Sequence, residues 1–120
     1  MRRLLLSQPR RRSMRILFDH GTPAPLISYL QNHTVTKART RGWDKISNGE
    51  LLKAAEDAGF DLLLTTDKRI RYQQNLAGRR IAIVVLGNSQ WPLLRHYIDR
   101  VVLAVNEASG SYAVVDVPFK

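Results

Sequence analysis

Ile81-Ala82-Ile83-Val84-Val85-Leu86 is an unbroken apolar run, and the Leu62-Leu63-Leu64 stretch within Asp61–Thr65 is nearly another. A strand with one face in water alternates apolar and polar side chains, so a strand that is apolar at every position must be covered on both faces. That requirement points to a mainly parallel sheet with helices on either side. Met14–Phe18 is a third short apolar run bounded by turn residues, and His33–Lys37 reads as a more polar strand around Val35. Tyr112–Val117, after the Ser109-Gly110 turn, reads as a last one.

Helical patterns fall between these runs. Gly21-Thr22-Pro23 opens a helix expected over about 23–31, with proline in its first turn. A polar loop is expected through Arg39-Thr40-Arg41-Gly42-Trp43. Ser47-Asn48-Gly49-Glu50 has the spacing of a capping box and should start a helix that carries Leu51, Leu52, Ala54, Ala55 and Ala58, ended by Gly59. A short helix or turn is expected around Ile70–Leu76. Trp91-Pro92 opens a longer helix to about Asn106, whose Leu93, Leu94, Tyr97, Ile98, Val101, Val102 and Val105 follow helical spacing. The alternation predicts an α/β fold, a three-layer α/β/α sandwich with right-handed crossovers.

The chain has 120 residues, 44% of them hydrophobic and 24% charged, which suits one folded domain and no second one. Its charge is +9, but five of the positive charges are Arg2, Arg3, Arg10, Arg11 and Arg12, and without them it is +4. Residues 1–13 therefore read either as a disordered basic arm or as an extension from an upstream start codon, with the domain spanning 14–120. A basic body favours polyanionic partners through counterion release. There is no cysteine, hence no disulfide, thiolate site or cysteine nucleophile, as in a reducing cytoplasm. Leu4-Leu5-Leu6 is far too short for a signal or membrane segment, so no membrane partner is expected.

The chemistry centres on acids at strand ends. Asp19 follows the first apolar run and Asp67 follows Leu62–Thr66, so a parallel sheet brings both to its carboxyl edge, where ligands of α/β proteins bind. Glu50, early on the helix between them, is the natural third member. Such carboxylates repel one another, and a divalent cation such as Mg²⁺ or Mn²⁺ relieves that cost with oxygen ligands. The ion then acidifies a bound water and neutralises charge at phosphorus, which is most of what phosphodiester hydrolysis needs. Each acid also has a plain alternative. Glu50 serves Ser47 in the capping box equally well, and Asp19 and Asp67 are placed to cap the helices that follow them.

Ile16-Leu17-Phe18-Asp19 with Gly21-Thr22-Pro23, then Asn48-Gly49-Glu50-Leu51-Leu52, then Leu63-Leu64-Thr65-Thr66-Asp67-Lys68 resembles the PIN-like family of uncharacterised small bacterial proteins related to VapC-type toxin nucleases. Arg71–Leu76 and Ile81–Leu86 extend the resemblance, which covers about residues 14–105. It implies a parallel-sheet sandwich and a metal-dependent endoribonuclease acting on single-stranded RNA, the toxin of a toxin–antitoxin pair with a small antitoxin protein as partner. Asp19, Glu50 and Asp67 would then ligate Mg²⁺ or Mn²⁺, with Thr65 as the hydroxyl of the Thr-x-Asp motif. Relatives of this kind often dimerise, which makes a homodimer through the 91–106 helix or the last strand an expectation. The chain departs from the pattern where a fourth acid is common and Arg69 stands instead. A guanidinium cannot ligate metal, so the site either holds one ion weakly or binds phosphate through Arg69 and Lys68. A non-catalytic PIN-like module that binds nucleic acid or a protein is the alternative reading.

Lys68-Arg69-Ile70-Arg71-Tyr72 places basic and aromatic groups beside Asp67, suited to a single strand with Arg69 and Arg71 on phosphates and Tyr72 as a stacking face. Tyr72 equally suits the core. His20, next to Asp19, is a candidate substrate contact or a plain surface histidine. Trp43 and Trp91 fit buried anchors better than base platforms, and His33 and His96 carry no motif. A haloacid-dehalogenase loop lacks its second acid here, and a response-regulator receiver lacks its acid pair. No Gly-rich phosphate loop or Ser-His-Asp arrangement is present.

Overall fold

A computed structural model of the chain describes residues 13–70, 80–108 and 112–117. Five parallel strands form one sheet: β1 Arg15–Phe18, β2 Thr34–Lys37, β3 Leu62–Thr65, β4 Ala82–Leu86 and β5 Tyr112–Val115, in the order β2-β1-β3-β4-β5. Among the described residues, the α-helices are α1 Asn48–Asp57, α2 Trp91–Leu94 and α3 Ile98–Glu107.

The apolar strands are covered on both sides, as their composition requires. Ile16, Phe18, Leu62, Leu64, Ala82, Val84 and Leu86 enter one core, closed by Leu26, Leu94, Val101 and Val105 from the helical segments after β1 and β4. The alternate residues Leu17, Leu63, Ile83 and Val85 enter a second core beneath Leu51, Leu52 and Ala55 of α1. Each strand thus feeds two cores in turn, which is why the sequence runs look continuous. Full burial of one such leucine or isoleucine is worth about 1.5–3 kcal/mol, so the central strands anchor the domain. The α/β fold with helices on both faces of a parallel sheet agrees with the sequence. β2, with Thr34 and Lys37 exposed, is an edge strand.

Three helical segments differ from expectation. Residues Ala24–Tyr29 form a 3₁₀ helix, closed by bonds from the Leu26 N–H to the Pro23 carbonyl at 3.1 Å and from the Leu30 N–H to the Ile27 carbonyl at 3.0 Å. Pro23 is the N-cap and supplies no capping side chain, and a proline in the first turn is compatible with either helix type, so the shorter i→i+3 bonding is read from the hydrogen bonds themselves. Ala38–Arg41, expected as loop, is likewise a 3₁₀ turn. The helix expected over 91–106 is broken: α2 passes through a 3₁₀ turn, Arg95–Tyr97, and α3 restarts after Tyr97, whose φ of −125° and ψ of 25° lie outside the helical region. The expected element at Ile70–Leu76 lies outside the described residues beyond Ile70.

His33 is structural. It is buried, its Nδ1 accepts the Met14 N–H at 3.0 Å, and its Nε2 lies 3.1 Å from Asn106 Oδ1, tying the entry of β1 to α3. Trp43 packs edge-on to Phe60 in the second core, and Trp91 lies against the first beside Tyr29, so both are packing anchors. Among the described residues, no helix is long and apolar enough to cross a membrane.

Candidate functional site

The strand order makes the boundary between β1 and β3 special. From β1 the chain crosses to β2 on one side, then returns past β1 to β3 on the other. In open α/β sheets of this order, ligands bind in the crevice beyond the carboxyl ends of the strands at that switch point. Asp19 and Asp67 both belong to it. Asp19 extends β1 by one residue, its N–H bonded to the Leu64 carbonyl at 3.0 Å. The turn after it is held by the Thr22 hydroxyl, which donates to the same carbonyl at 3.0 Å, and by Gly21, whose φ of +93° suits a residue without Cβ.

Thr65 joins the two acids. It is the last residue of β3 and fully buried. Its hydroxyl donates to Asp19 Oδ2 at 2.6 Å and accepts the Asp67 N–H at 3.0 Å. With the lone proton of the hydroxyl aimed at Asp19, the carboxylate is an acceptor, and its other oxygen, Oδ1, accepts the His20 N–H at 2.7 Å. The Thr-x-Asp motif is therefore a single hydrogen-bonded unit with the strand-end aspartate 46 residues away.

Asp67 is held by four donors. Oδ1 accepts the Arg69 N–H at 3.0 Å and Arg69 Nε at 3.1 Å, while Oδ2 accepts Arg69 Nη2 at 3.1 Å and Asn48 Nδ2 at 3.1 Å. The planar guanidinium forks across both oxygens, the strongest pairing an arginine offers a carboxylate. These Arg69 side-chain bonds are the chief reason the Asp67 carboxyl is lowered to about 2; partial burial opposes them and Asn48 adds to the lowering.

Glu50 is placed elsewhere. It occupies the third position of α1, where its Oε1 accepts the Ser47 N–H at 3.1 Å and the Ser47 hydroxyl at 3.2 Å while the Glu50 N–H donates back to Ser47 Oγ at 3.2 Å. The capping-box reading is the one the geometry realises, and the side chain from α1 that reaches Asp67 is Asn48. No pattern in its own segment marks Asn48 for that contact. Among the described residues, no three His, Cys, Asp or Glu side chains converge. Lys68 is exposed in the turn after Asp67, and the His20 side chain is exposed beside Asp19. Arg71 and Tyr72 lie outside the described residues.

Asp19 and Asp67 fit Mg²⁺ or Mn²⁺ in the kind of donor they offer. Such an ion commonly keeps several waters and takes one or two carboxylates. Arg69 is the group it has to displace from Asp67, and with 74% of that side chain exposed, the guanidinium can swing away without unpacking the core. No protein-family model, curated protein or solved structure matches the chain.

Proposed function

We propose that this protein is a PIN-like, metal-dependent endoribonuclease that hydrolyses phosphodiester bonds of single-stranded RNA in the cytoplasm, as the toxin of a toxin–antitoxin pair. The observation that supports this reading is the linkage of Asp19 to Asp67 through the Thr65 hydroxyl at the switch point of the sheet. When bound, Mg²⁺ or Mn²⁺ supplies Lewis-acid stabilisation at phosphorus and acidifies water. Asp19 and Asp67 hold the ion. Thr65 fixes the rotamer of Asp19, Asn48 orients Asp67, and Arg69, once off Asp67, offers its fork to a substrate phosphate, with Lys68 beside it. Glu50 stabilises the start of α1 and is not assigned as a ligand.

Purified protein with Mn²⁺ should cut unstructured RNA, and Asp19→Asn or Asp67→Asn should abolish cleavage while leaving the circular dichroism spectrum unchanged. Undiminished cleavage by Asp19→Asn would sink the reading. Expression should be toxic, with relief by the product of an adjacent small gene.

A second reading is favoured by Arg69 itself. Because its fork occupies both oxygens of Asp67, the same surface suits a non-catalytic module that binds RNA without metal. RNA binding indifferent to EDTA, with no turnover, selects that module; Mn²⁺ binding lost in Asp67→Asn selects the nuclease.

A further inference from the structure

Next to Asp19, on the side away from Asp67, a cleft of about 490 Å³ opens between the turns that follow β1 and β2. Phe18 and Lys37 are register partners, so the chain leaves both strands at the same height on the carboxyl edge. Asp19, His20 and Thr22 then face Lys37, Arg39 and Thr40 across the opening. The volume is that of a small-ligand site, large enough for one nucleotide.

The charges there are unevenly committed. Lys37 and Arg39 are both exposed and have no carboxylate partner among the described residues. Arg41, the next basic residue along, is used differently: its guanidinium lies 5.1 Å from the Trp43 ring centre and 5.2 Å from that of Phe60. Alternate basic residues of one short segment thus divide between packing and the cleft. The one acid on the cleft wall, Asp19, has its oxygens engaged by Thr65 and the His20 N–H. Two cations with no acid partner among the described residues, facing hydroxyls, a histidine and the single carboxylate of Asp19, leave the cleft with a net positive charge that suits an anion. Because β2 is the sheet edge, no further strand among the described residues closes the approach.

We propose that this cleft is a phosphate-binding subsite, in which Lys37 and Arg39 hold the phosphate of the nucleotide flanking the bond presented to Asp19 and Asp67. The identity of that nucleotide as part of an RNA strand rests on the nuclease reading; the anion site itself does not. It gives the strand a direction: across the carboxyl edge from the β2 end, past Asp19, toward Asp67 and Lys68.

The test measures binding of a short fluorescein-labelled single-stranded RNA to the full chain by fluorescence anisotropy, in EDTA so that no cleavage intervenes, over a range of salt. Each phosphate contact to a single strand contributes about 0.7 to the slope of log K against log salt. Lys37→Gln/Arg39→Gln should therefore bind at least about tenfold more weakly at low salt and lose about 1.4 from the slope. Both side chains are exposed, so the melting temperature should be unchanged. Lys53→Gln, which removes a lysine paired with Asp57 on α1, should leave binding and slope as in wild type. Unchanged affinity and slope in the double variant overturn the subsite, and RNA cleavage by wild type would still stand. Weakened binding together with a wild type that cuts no RNA keeps the anion site and removes the nuclease. Competition by a nucleoside 5′-monophosphate as strong as by the oligonucleotide would reassign the cleft to a free nucleotide and overturn its flanking role.

Discussion

Thr65→Val replaces the hydroxyl that joins the two acids by a methyl of nearly the same shape, so it tests the linkage without opening a cavity. The bond lost is an O–H to carboxylate contact of 2.6 Å made by a fully buried side chain. Hydrogen bonds to a charged group are worth about 1.5–3 kcal/mol net. The Asp67 N–H loses its acceptor as well, and since Asp67 is only partly buried, water restores part of that, leaving about 0.5–1 kcal/mol more. The variant should be less stable by about 2–4 kcal/mol, a fall in melting temperature on the order of 10–20 °C for a domain of this size. Thr65→Ser keeps the hydroxyl and loses one buried methyl, which costs about 1 kcal/mol. Urea unfolding of both variants, and of each combined with Asp19→Ala, gives the coupling between positions 65 and 19. It should be about 1.5–2 kcal/mol for Thr65→Val and Asp19→Ala. If Thr65→Val is no less stable than Thr65→Ser, or if its effect adds to that of Asp19→Ala without coupling, the hydroxyl does not hold the acids together.

The Asp67 carboxyl, at about 2 in the folded chain against 3.8 for an ordinary aspartate, contributes stability that is fully present above about pH 4 and lost as pH falls toward 2. Carboxyl ¹³C titration should place it near 2 in wild type and move it upward in Arg69→Gln; an unmoved value would show that Arg69 is not what lowers it. Glu50→Ala removes one half of the capping box and should cost about 0.5–1 kcal/mol in urea unfolding while sparing Mn²⁺ affinity. A large loss of Mn²⁺ binding in that variant, measured by calorimetry, would return Glu50 to the metal site.

The parts of the fold that the sequence announces are those written into single segments. Leu62–Thr65 and Ala82–Leu86, short apolar runs, read as strands covered on both faces and are so, and Ser47 with Glu50 carries its own helix start. Asp19 and Asp67 were likewise legible, because a strand end is a local feature. Glu50 had two roles open to it, a cap three residues away and carboxylates elsewhere in the chain, and the folded geometry places its carboxylate on Ser47. Asn48 was missed because its partner, Asp67, is brought to it by the packing of α1 on the second core, not by any pattern in its own segment. The 3₁₀ character of Ala24–Tyr29 was hidden by proline, which marks a helix start equally for either helix type.

Strand order is the element with the largest functional consequence and the weakest signature. Five parallel strands in this sequence order admit several arrangements, all compatible with the same apolar runs. With β2 beside β1, Lys37 and Arg39 border Asp19; with β2 beyond β4, the same residues would lie far along the edge and the cleft would not exist. With β3 on the other flank of β1, the Thr65 hydroxyl reaches Asp19 at all. Asp19 therefore stands between a basic strand end and an acidic one, so that a cation and a phosphate could be held side by side on one edge. That juxtaposition is a property of the crossover from β2 to β3.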